Sequence, residues 1–453
     1  MSEVETLAFF VTRASFDALS PQAREQLKVR ILDALGCAIG ALGGEPVRMI
    51  RDLTMELGGT ERCTMIGGGA TAPDRAALMN GFLVRYLDFN DSYLAPGETC
   101  HPSDSLAAIL AACQYAERPG RDLLVSLAVA YQVQCRLSDE APVRAKGFDH
   151  TVQGAYAVAA GAARALGLDQ EKTANAIAIS GTAFNALRVT RTGALSHWKG
   201  LAAPHMAAGA LHAALMAGHG ISGPREVFEG NKGLKGSMTG PFSIDWKKED
   251  LERVTRTIVK RYNAEVHSQA TLEGILELGA GGAFAPGIES IDVETFDVAY
   301  NIIGGGEEGD KTAVKTKEEA DHSLPYMVAA AALDGQLMPQ QYAPERIGRP
   351  DIQSLLRKVK IRPSPELSRR FPAEMPCRVS VRLKGGRTLT AEKKDYEGFH
   401  TRPMSWETAR RKFEALADRG ADAALRGEIA DAVLRLEDIR VADLCALLSR
   451  AGR

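Results

Sequence analysis

The sequence predicts a mainly α-helical protein with an α+β part: a large all-helical domain plus a smaller α+β domain inserted before the C-terminal helices. Apolar residues recur at helical spacing through more than half of the chain. Strand-like alternation of apolar and polar residues follows, and helical spacing then returns. We therefore expect residues 1–267 and 393–453 to form the large helical domain and residues 268–392 to form the small one.

The first helices can be predicted from their ends and their apolar stripes. Ser20 and Pro21 combine an N-cap residue with a proline at the first helical position, which is typical of a helix start. One apolar stripe then recurs every four residues, at Leu27, Ile31, Leu35 and Ile39. Further helices rich in Ala, Gly and Leu are expected at 105–117, 121–137, 152–166, 171–185 and 201–219. Small side chains let helix axes approach closely, so we expect a tightly packed bundle, helical almost throughout to about residue 265.

Alternating apolar and polar residues indicate the strands of the smaller domain. The alternation occurs at Ile291–Val293, Phe296–Tyr300, Val359–Ile361 and Val379–Leu383. Gly385 and Gly386 separate the last of these from another alternating run. Two glycines predict a hairpin there, because the favoured two-residue turns need positive φ. Residues 322–335 are expected to form a helix between these strands, and helices are expected again after Ser405.

Composition limits the partners of the protein. The formal net charge of −2 on 453 residues argues against nucleic acid or an acidic membrane surface as the main partner. Glu3 and Glu5 stand where a secretory signal needs positive charge. The longest apolar segments, such as Leu123–Cys135, are too short to span a bilayer. We expect a cytoplasmic protein that acts on a small molecule and does not bind nucleic acid or membranes.

The cysteines, histidines and glycines give no sign of a cofactor. The seven cysteines include no C-x-x-C pair, so neither a disulfide framework, a zinc ribbon nor an iron–sulfur cluster is indicated. The nine histidines include no HExxH motif. Residues 67–69 are expected to form a turn, and Glu307 and Glu308 make residues 304–312 unsuitable for phosphate. We expect no metal and no cofactor, and Cys100 as a small buried residue.

The most informative stretch is 87–104, which holds several ionisable or hydroxyl side chains between two apolar runs. These side chains are Asp88, Asp91, Ser92, His101 and Asp104. Polar groups between two buried helices can acquire perturbed pKa values, which favours a catalytic site. The alternative is a solvated interhelical loop in which Ser92 and Asp104 are ordinary capping residues.

Residues 87–93 and 101–104 resemble the signature of the MmgE/PrpD family. Further matches follow in the same order along the chain, at 147–151, 196–200, 260–262, 265–269 and 320–326, and a similar start lies at 33–37. The resemblance covers nearly the whole chain. It implies a large helical domain made from both termini, a small α+β domain between them, and a homodimer.

The family includes 2-methylcitrate dehydratase, cis-aconitate decarboxylase and epimerases of amino-dicarboxylates. Removing water from a citrate-like substrate needs a base, an acid and cations that hold the carboxylates. The matched motifs and nearby arginines supply these groups. We expect the catalytic residues to be His101, Asp88, His150, Lys199 and Lys260. We expect the residues that bind substrate to be Ser92, Arg188, Arg191, His267 and Tyr326.

These residues predict a cofactor-independent hydro-lyase that dehydrates 2-methylcitrate or a similar tricarboxylate. Asn90 and the segment 264–269 resemble the dehydratase pattern, whereas Asn263 stands where the family usually has proline. The substrate therefore stays open. Alternatives within the family are a cis-aconitate decarboxylase and an iminodisuccinate-type epimerase. An alternative of another class is a non-catalytic helical protein that binds small acids.

Several of these residues also have ordinary structural alternatives. Lys260 and Arg261 could be a solvated charged pair, and Asp321 could be the N-cap of the following helix. Three histidines spaced by seven are expected on one helix face, as core or groove residues rather than ligands. They are His205, His212 and His219.

Overall fold

The computed structural model describes residues 1–192, 195–282, 284 and 287–452. The described residues form two compact units, one made of 1–259 with 404–453 and the other of 260–403. The protein is mainly helical with a smaller α+β part, as the sequence predicts.

The larger unit contains twelve of the α-helices found among the described residues. They are α1 (Glu3–Arg13), α2 (Pro21–Gly40), α3 (Glu45–Leu57), α4 (Pro73–Tyr86), α5 (Leu106–Tyr115), α6 (Gly120–Glu140), α7 (Thr151–Leu166), α8 (Gln170–Ala183), α9 (Trp198–Gly218), α17 (Trp406–Ala417), α18 (Ala423–Leu434) and α19 (Val441–Leu448). The predicted start of α2 is confirmed, since the Ser20 hydroxyl accepts a hydrogen bond from the Ala23 amide at 3.0 Å and Pro21 follows it.

Small residues allow these helices to pack closely, as predicted. A Cβ atom added to Gly161 of α7 would lie 2.6 Å from the side chain of Ile109 in α5 and 2.8 Å from the Ser126 carbonyl in α6. Any larger residue would therefore push the helices apart. The alanine and glycine content of this region serves tight packing.

The C-terminal helices belong to the larger unit, and one lysine joins α17 to the N-terminal part of the chain. Lys412 lies 2.6 Å from the Asp33 carboxylate of α2 and donates to the Phe89 carbonyl at 2.8 Å. Its ammonium also lies 3.6 Å from the centre of the Phe89 ring. Because Phe89 lies in the loop after α4, residues from both ends of the chain hold that loop.

Two parts of the larger unit differ from the prediction. Short antiparallel hairpins occur at β1 (Cys63–Thr64) with β2 (Ala70–Thr71), and at β3 (Tyr93–Ala95) with β4 (Glu98–Cys100). The prediction of nearly continuous helix to residue 265 is wrong for residues 220–258. This segment forms turns, a single π-helical turn at Lys235–Thr239 and a short 3₁₀ helix at Arg253–Arg256. Glycines recur through this segment, and glycine is unfavourable inside a helix. The turn predicted at 67–69 is confirmed, with positive φ at all three glycines.

The smaller unit is built on a four-stranded sheet with the strand order β6-β5-β7-β8. Strand β5 pairs in parallel with β6 and antiparallel with β7, which pairs antiparallel with β8. Its strands are β5 (Ile288–Thr295), β6 (Val359–Pro363), β7 (Cys377–Leu383) and β8 (Thr388–Lys393). Its helices are α10 (Gln269–Gly279), α11 (Asp297–Ala299), α12 (Lys317–Ala320), α13 (Leu324–Asp334), α14 (Pro344–Ile347), α15 (Pro350–Leu356) and α16 (Pro365–Ser368). Gly385 and Gly386 turn the predicted hairpin with positive φ.

In this unit one predicted strand is wrong, and so is the alternative that Asp321 caps the following helix. Residues 296–300 do not extend the sheet, because the chain turns into α11 after Phe296, whose buried ring stacks on that of Phe371 at 4.3 Å between centroids. The N-cap of α13 is Ser323, whose hydroxyl accepts from the Tyr326 amide at 3.1 Å. Asp321 lies before this cap and makes other contacts.

The smaller unit is longer at both ends than the predicted range 268–392. At its start, the Gln269 side chain accepts from the amides of Arg261 and Tyr262 at 2.9 and 3.0 Å. At its end, the Glu273 carboxylate accepts from the Glu397 amide at 3.1 Å and from Arg402 at 2.7 Å. These hydrogen bonds connect the flanking segments to α10.

Among the described residues, no helix has the length and apolar character that crossing a membrane requires.

Candidate active site

The loop between α4 and α5 is buried, so the alternative of a solvated interhelical loop is wrong. Asn90, Asp91 and Ser92 have no exposed surface, and His101 is 8% exposed. Asp88 begins the loop with φ of 53°, a left-handed conformation that Asp tolerates better than most residues. The β3–β4 hairpin then returns the chain to a short 3₁₀ turn at Pro102–Ser105. The loop therefore buries several polar side chains close to one another.

Asp88 joins two cations at one end of this loop. Its carboxylate pairs with the Arg85 guanidinium and lies 3.3 Å from the Lys199 ammonium at the start of α9. Arg85 also lies 3.6 Å from the Asp104 carboxylate. Burial alone would lower the pKa of Arg85, but the charges of Asp88 and Asp104 raise it above its ordinary value. Two carboxylates and two cations thus share one network of ion pairs, and buried charges in proteins are usually paired in this way.

His101 is held through its Nδ1 atom. This nitrogen lies 2.7 Å from the Asp91 carbonyl oxygen and 3.1 Å from the Ser92 hydroxyl. A carbonyl can only accept a hydrogen bond, so Nδ1 carries the hydrogen, and in a neutral ring the lone pair is on Nε2. Ser92 thus contacts a histidine in this structure, and its contact with substrate stays a prediction.

Asp91 fixes the backbone carbonyl that contacts Nδ1 of His101. Its carboxylate accepts from the Tyr131 hydroxyl at 2.7 Å and from the Ser103 amide at 3.0 Å. Burial raises the pKa of Asp91, while the hydrogen bonds from Ser103 and Tyr131 oppose this shift. The side chain thereby fixes the backbone whose carbonyl holds Nδ1 of His101. Sequence reasoning noticed Asp91 in the motif but did not place it in the site.

His150, at the start of α7, lies beside His101, with 5.3 Å between ring centroids. Its Nε2 atom is 3.9 Å from Oδ2 of Asp104, too far for a hydrogen bond. His150 Nε2, Asp104 Oδ2 and Arg85 Nε are all buried and have no hydrogen-bond partner among the described residues. Buried polar atoms are usually satisfied, so this group of three has unused capacity for a polar ligand.

Asp149 anchors the two arginines that sequence reasoning assigned to substrate. It is fully buried and accepts from Arg191 Nε at 2.9 Å, and Arg188 lies 3.8 Å away. Burial alone would raise the pKa of Asp149, but the charges of His150 and the two arginines hold it well below its usual range. Arg191 also donates to the Lys199 carbonyl at 2.9 Å. Arg191 therefore positions the start of α9, and substrate contact by either arginine stays a prediction.

The smaller unit contains the other predicted site residues. Lys260 is 1% exposed, so the alternative that it belongs to a solvated pair is wrong. Nδ1 of His267 lies 2.7 Å from the Glu265 carboxylate. Tyr326 is fully buried, and its hydroxyl donates to the Gln341 carbonyl, so its predicted contact with substrate stays untested.

A second carboxylate–imidazole pair occurs in this unit. The Asp321 carboxylate contacts Nδ1 of His322 at 2.5 Å and Lys317 Nζ at 2.8 Å. Asp321 is 3% exposed. The sequence suggested a plain capping role for Asp321, and that alternative is wrong because Ser323 caps the helix. A signal was available, since an acid directly beside a histidine occurs in both 149–150 and 321–322.

The remaining histidines and the cysteines lie outside this chemistry. His205 and His212 are exposed on α9, and His219 is exposed at its C-cap. Of the expectation that these histidines are core or groove residues, the core half is wrong. All seven cysteines are buried, with free thiols. Cys100 has no exposed surface and accepts from the Ser138 hydroxyl at 3.3 Å. The expectation of Cys100 as a small buried residue is confirmed.

Within the larger unit, the structure brings together most of the predicted residues. A chain of contacts links Ser92, His101, His150, Arg191, Lys199 and Asp88. It also recruits residues that sequence reasoning left out of the site, namely Arg85, Asp91, Asp104, Tyr131 and Asp149. Lys260, His267 and Tyr326 lie in the smaller unit. Buried acids and histidines that lie together with a lysine define a candidate site for acid–base chemistry.

Comparison with known proteins agrees with the motifs. The MmgE/PrpD N-terminal domain model matches residues 5–247, and the MmgE/PrpD C-terminal domain model matches residues 262–438. The chain therefore belongs to the MmgE/PrpD family.

Curated relatives of two activities resemble the chain at similar identity. Cis-aconitate decarboxylase of Mus musculus is 26% identical over 476 residues, covering 99% of this chain and 93% of the relative. The 2-methylcitrate dehydratase of Cupriavidus necator is 28% identical over 433 residues, covering 87% and 84%. That of Salmonella typhimurium (strain LT2) is 27% identical over 382 residues, covering 76% and 74%.

Proposed function

We propose that the protein is a lyase that dehydrates 2-methylcitrate or a similar tricarboxylate by acid–base catalysis, with no cofactor. The observation that carries this proposal is the buried group of Nε2 of His150, Oδ2 of Asp104 and Nε of Arg85. These atoms lack partners among the described residues and adjoin His101 and the Lys199–Asp88 pair. Relatives named 2-methylcitrate dehydratase support the choice of substrate.

Four residues of the larger unit have proposed roles in this reaction. His101 is the proposed base, because the Asp91 carbonyl holds the hydrogen on Nδ1 and the neutral ring keeps its lone pair on Nε2. His150 is the proposed acid for the departing hydroxyl, since its buried Nε2 atom has no hydrogen-bond partner among the described residues and can donate to a substrate. Lys199 is the proposed cation for a substrate carboxylate, with Asp88 as its counter-charge. The predicted site residues of the smaller unit are kept as predictions, namely Lys260, His267 and Tyr326. Substrate binding by Ser92, Arg188 and Arg191 is also kept as a prediction.

The direct test is a product assay. Purified protein, first treated with a chelator, is incubated with 2-methylcitrate, and mass spectrometry follows the loss of water. The proposal expects an unsaturated tricarboxylate in wild type, its near disappearance in His101→Ala, and no change in His212→Ala, whose histidine is exposed on the same unit. No product from wild-type protein, either with or without the chelator, would overturn the dehydratase proposal. Product formed only without the chelator would overturn the proposal that no metal is needed.

A second candidate is decarboxylation of cis-aconitate, favoured by the mouse relative that aligns with 99% of this chain. It predicts release of carbon dioxide from cis-aconitate with no dehydration of 2-methylcitrate. An epimerase would instead exchange the α-hydrogen of an amino-dicarboxylate with solvent deuterium without net elimination. A protein that binds a tricarboxylate in calorimetry but gives none of these products would be a non-catalytic binder.

We also propose that the protein is a homodimer that associates through the larger unit. Apolar side chains are exposed near the turn that carries Arg188 and Arg191, with Leu187 58% and Val189 70% exposed. Trp198, at the start of α9, is 44% exposed. Exposed apolar groups near one another favour association. Light scattering at micromolar concentration should give twice the chain mass, and a monomer would contradict the proposal. Location in the cytoplasm stays a prediction.

A further inference from the structure

Glu265 binds His267 twice. One oxygen of its carboxylate, Oε1, lies 2.7 Å from Nδ1 of the His267 ring. The other, Oε2, accepts from the His267 backbone amide at 2.8 Å. Glu265 is the N-cap of the short 3₁₀ turn Val266–Ser268, which brings its side chain back over the residue two positions ahead. Both oxygens therefore fix the same residue.

Aromatic side chains hold the His267 ring from other directions. The rings of Phe296 and Phe371 lie 5.7 and 5.6 Å from it, measured between centroids. These two rings stack on each other with an interplanar angle of 8°. His267 itself is only 3% exposed. With Nδ1 bound by the carboxylate and the ring packed against aromatic side chains, the direction of Nε2 is set.

Capping alone does not explain this geometry. An N-cap needs one acceptor for a backbone amide, and Ser or Asn supplies it without burying a charge. Glu265 is 9% exposed, and burial alone would raise its pKa. The charge and hydrogen bond of His267, followed by the charges of His322 and Lys260, lower that pKa below its ordinary value. The side chain is thus a carboxylate at neutral pH, whose second oxygen is used on an imidazole.

We propose that Glu265 is a positioning residue that holds His267 with its hydrogen on Nδ1 and presents Nε2 to the substrate. This proposal rests on the proposed function for the identity of the substrate, a tricarboxylate. The arrangement is of the kind in which an outer carboxylate fixes the tautomer and orientation of a working histidine. Glu265 itself does not touch the substrate.

The first measurement is made without substrate. In full-length protein labelled with ¹⁵N-histidine, NMR of the ring nitrogens should show hydrogen on Nδ1 of His267, assigned by its loss in His267→Gln. The Nδ1 proton signal should shift or broaden in Glu265→Gln, which keeps an acceptor and the cap but removes the charge. A wild-type ring with hydrogen on Nε2 alone would overturn the proposal, whether or not the protein is a lyase.

The second measurement is a double-mutant cycle on the enzyme. Glu265→Gln should lower kcat/KM by about tenfold, the scale expected when a charge-assisted hydrogen bond becomes a neutral one. The matched control is Glu345→Gln, an exposed glutamate of the same unit, which should leave kcat/KM unchanged. In a His267→Gln background, Glu265→Gln should have almost no further effect, because it acts through the ring.

The outcomes separate the two proposals. Additive effects of Glu265→Gln and His267→Gln would show a merely structural role for Glu265 and overturn this inference, while the lyase proposal would stand. Wild-type protein with no lyase activity but with hydrogen on Nδ1 of His267 would overturn the proposed substrate and leave the positioning role supported. If Glu265→Gln does not fold, the wild-type tautomer still decides the matter.

Discussion

The two units hold a histidine in different ways. In the larger unit, Nδ1 of His101 faces a neutral backbone carbonyl and the Ser92 hydroxyl. In the smaller unit, Nδ1 of His267 faces the Glu265 carboxylate. A neutral acceptor fixes the tautomer without adding charge, whereas a carboxylate also stabilises positive charge on the ring. The His101 setting therefore suits a base that must begin neutral, and the His267 setting suits a group that contacts an anion.

The role of His101 as a base is tested by removing its ring, and this variant is expected to show the largest change. His101→Ala should lower kcat by roughly 10²- to 10⁴-fold, as for loss of a general base, with a small change in KM. Steady-state kinetics on the substrate identified by the product assay provide the measurement, with His212→Ala as the control. An unchanged kcat would place the base elsewhere.

A smaller effect is expected at the cation of the larger unit. Lys199→Ala should raise KM by about tenfold or more and lower kcat less, if the ammonium holds a substrate carboxylate equally in the ground and transition states. Lys247→Ala, which removes an exposed lysine from the same unit, is the matched control. A large fall in kcat with an unchanged KM would show instead that Lys199 transfers a proton.

The hydrogen bond that holds the Asp91 side chain can be removed without changing the His101 ring. Tyr131→Phe removes the hydroxyl that donates to the Asp91 carboxylate. Leaving that oxygen without a donor should lower the free energy of unfolding by about 1–3 kcal/mol, with a much smaller fall in kcat than in His101→Ala. Chemical denaturation measures the first quantity. Tyr115→Phe, in which the ring keeps its contact with Arg62, should change neither.

The last and smallest effect is expected on the free energy of unfolding at acid pH, through Asp149. The pKa of Asp149 lies below that of an unfolded aspartate, so its contribution to stability is present above the unfolded value, about 3.9, and is lost as the pH falls towards the folded value. The free energy of unfolding of the wild type should therefore decrease below about pH 4 more steeply than that of Asp149→Asn. Urea denaturation between pH 3 and pH 7 measures both slopes. Equal slopes would show that Asp149 is not the group responsible.

Sequence could predict the parts of this molecule that local patterns determine. The helix at Ser20-Pro21 and the Gly385-Gly386 hairpin each depend on residues next to one another, and both are present. The irregular segment 220–258 departs from the predicted helix, because its recurring glycines are unfavourable inside a helix. The end of β5 before Phe296 was not predicted, because the ring of Phe296 stacks on that of Phe371, which is distant in sequence.

The candidate site shows the same division. Its motif residues were visible as ionisable groups between apolar runs, whereas their partners were not. Asp149 and Arg191 are far apart in sequence, and nothing local indicates that they pair. The burial of Lys260 was equally hidden, because a lysine beside an arginine has the pattern of a solvated surface. Glu265 and His267 are the exception, since their spacing already allows one to bind the other.

The bond from Lys412 to the loop of the candidate site has a consequence for the order of events during synthesis. Phe89, whose carbonyl accepts that bond, lies directly after Asp88, and Lys412 lies in α17, beyond the whole of the smaller unit. A nascent chain therefore carries the loop long before it carries the residue that braces it. We expect the loop to reach its final arrangement only after α17 has left the ribosome, so that catalytic competence comes last and any chain that stops short of α17 lacks it.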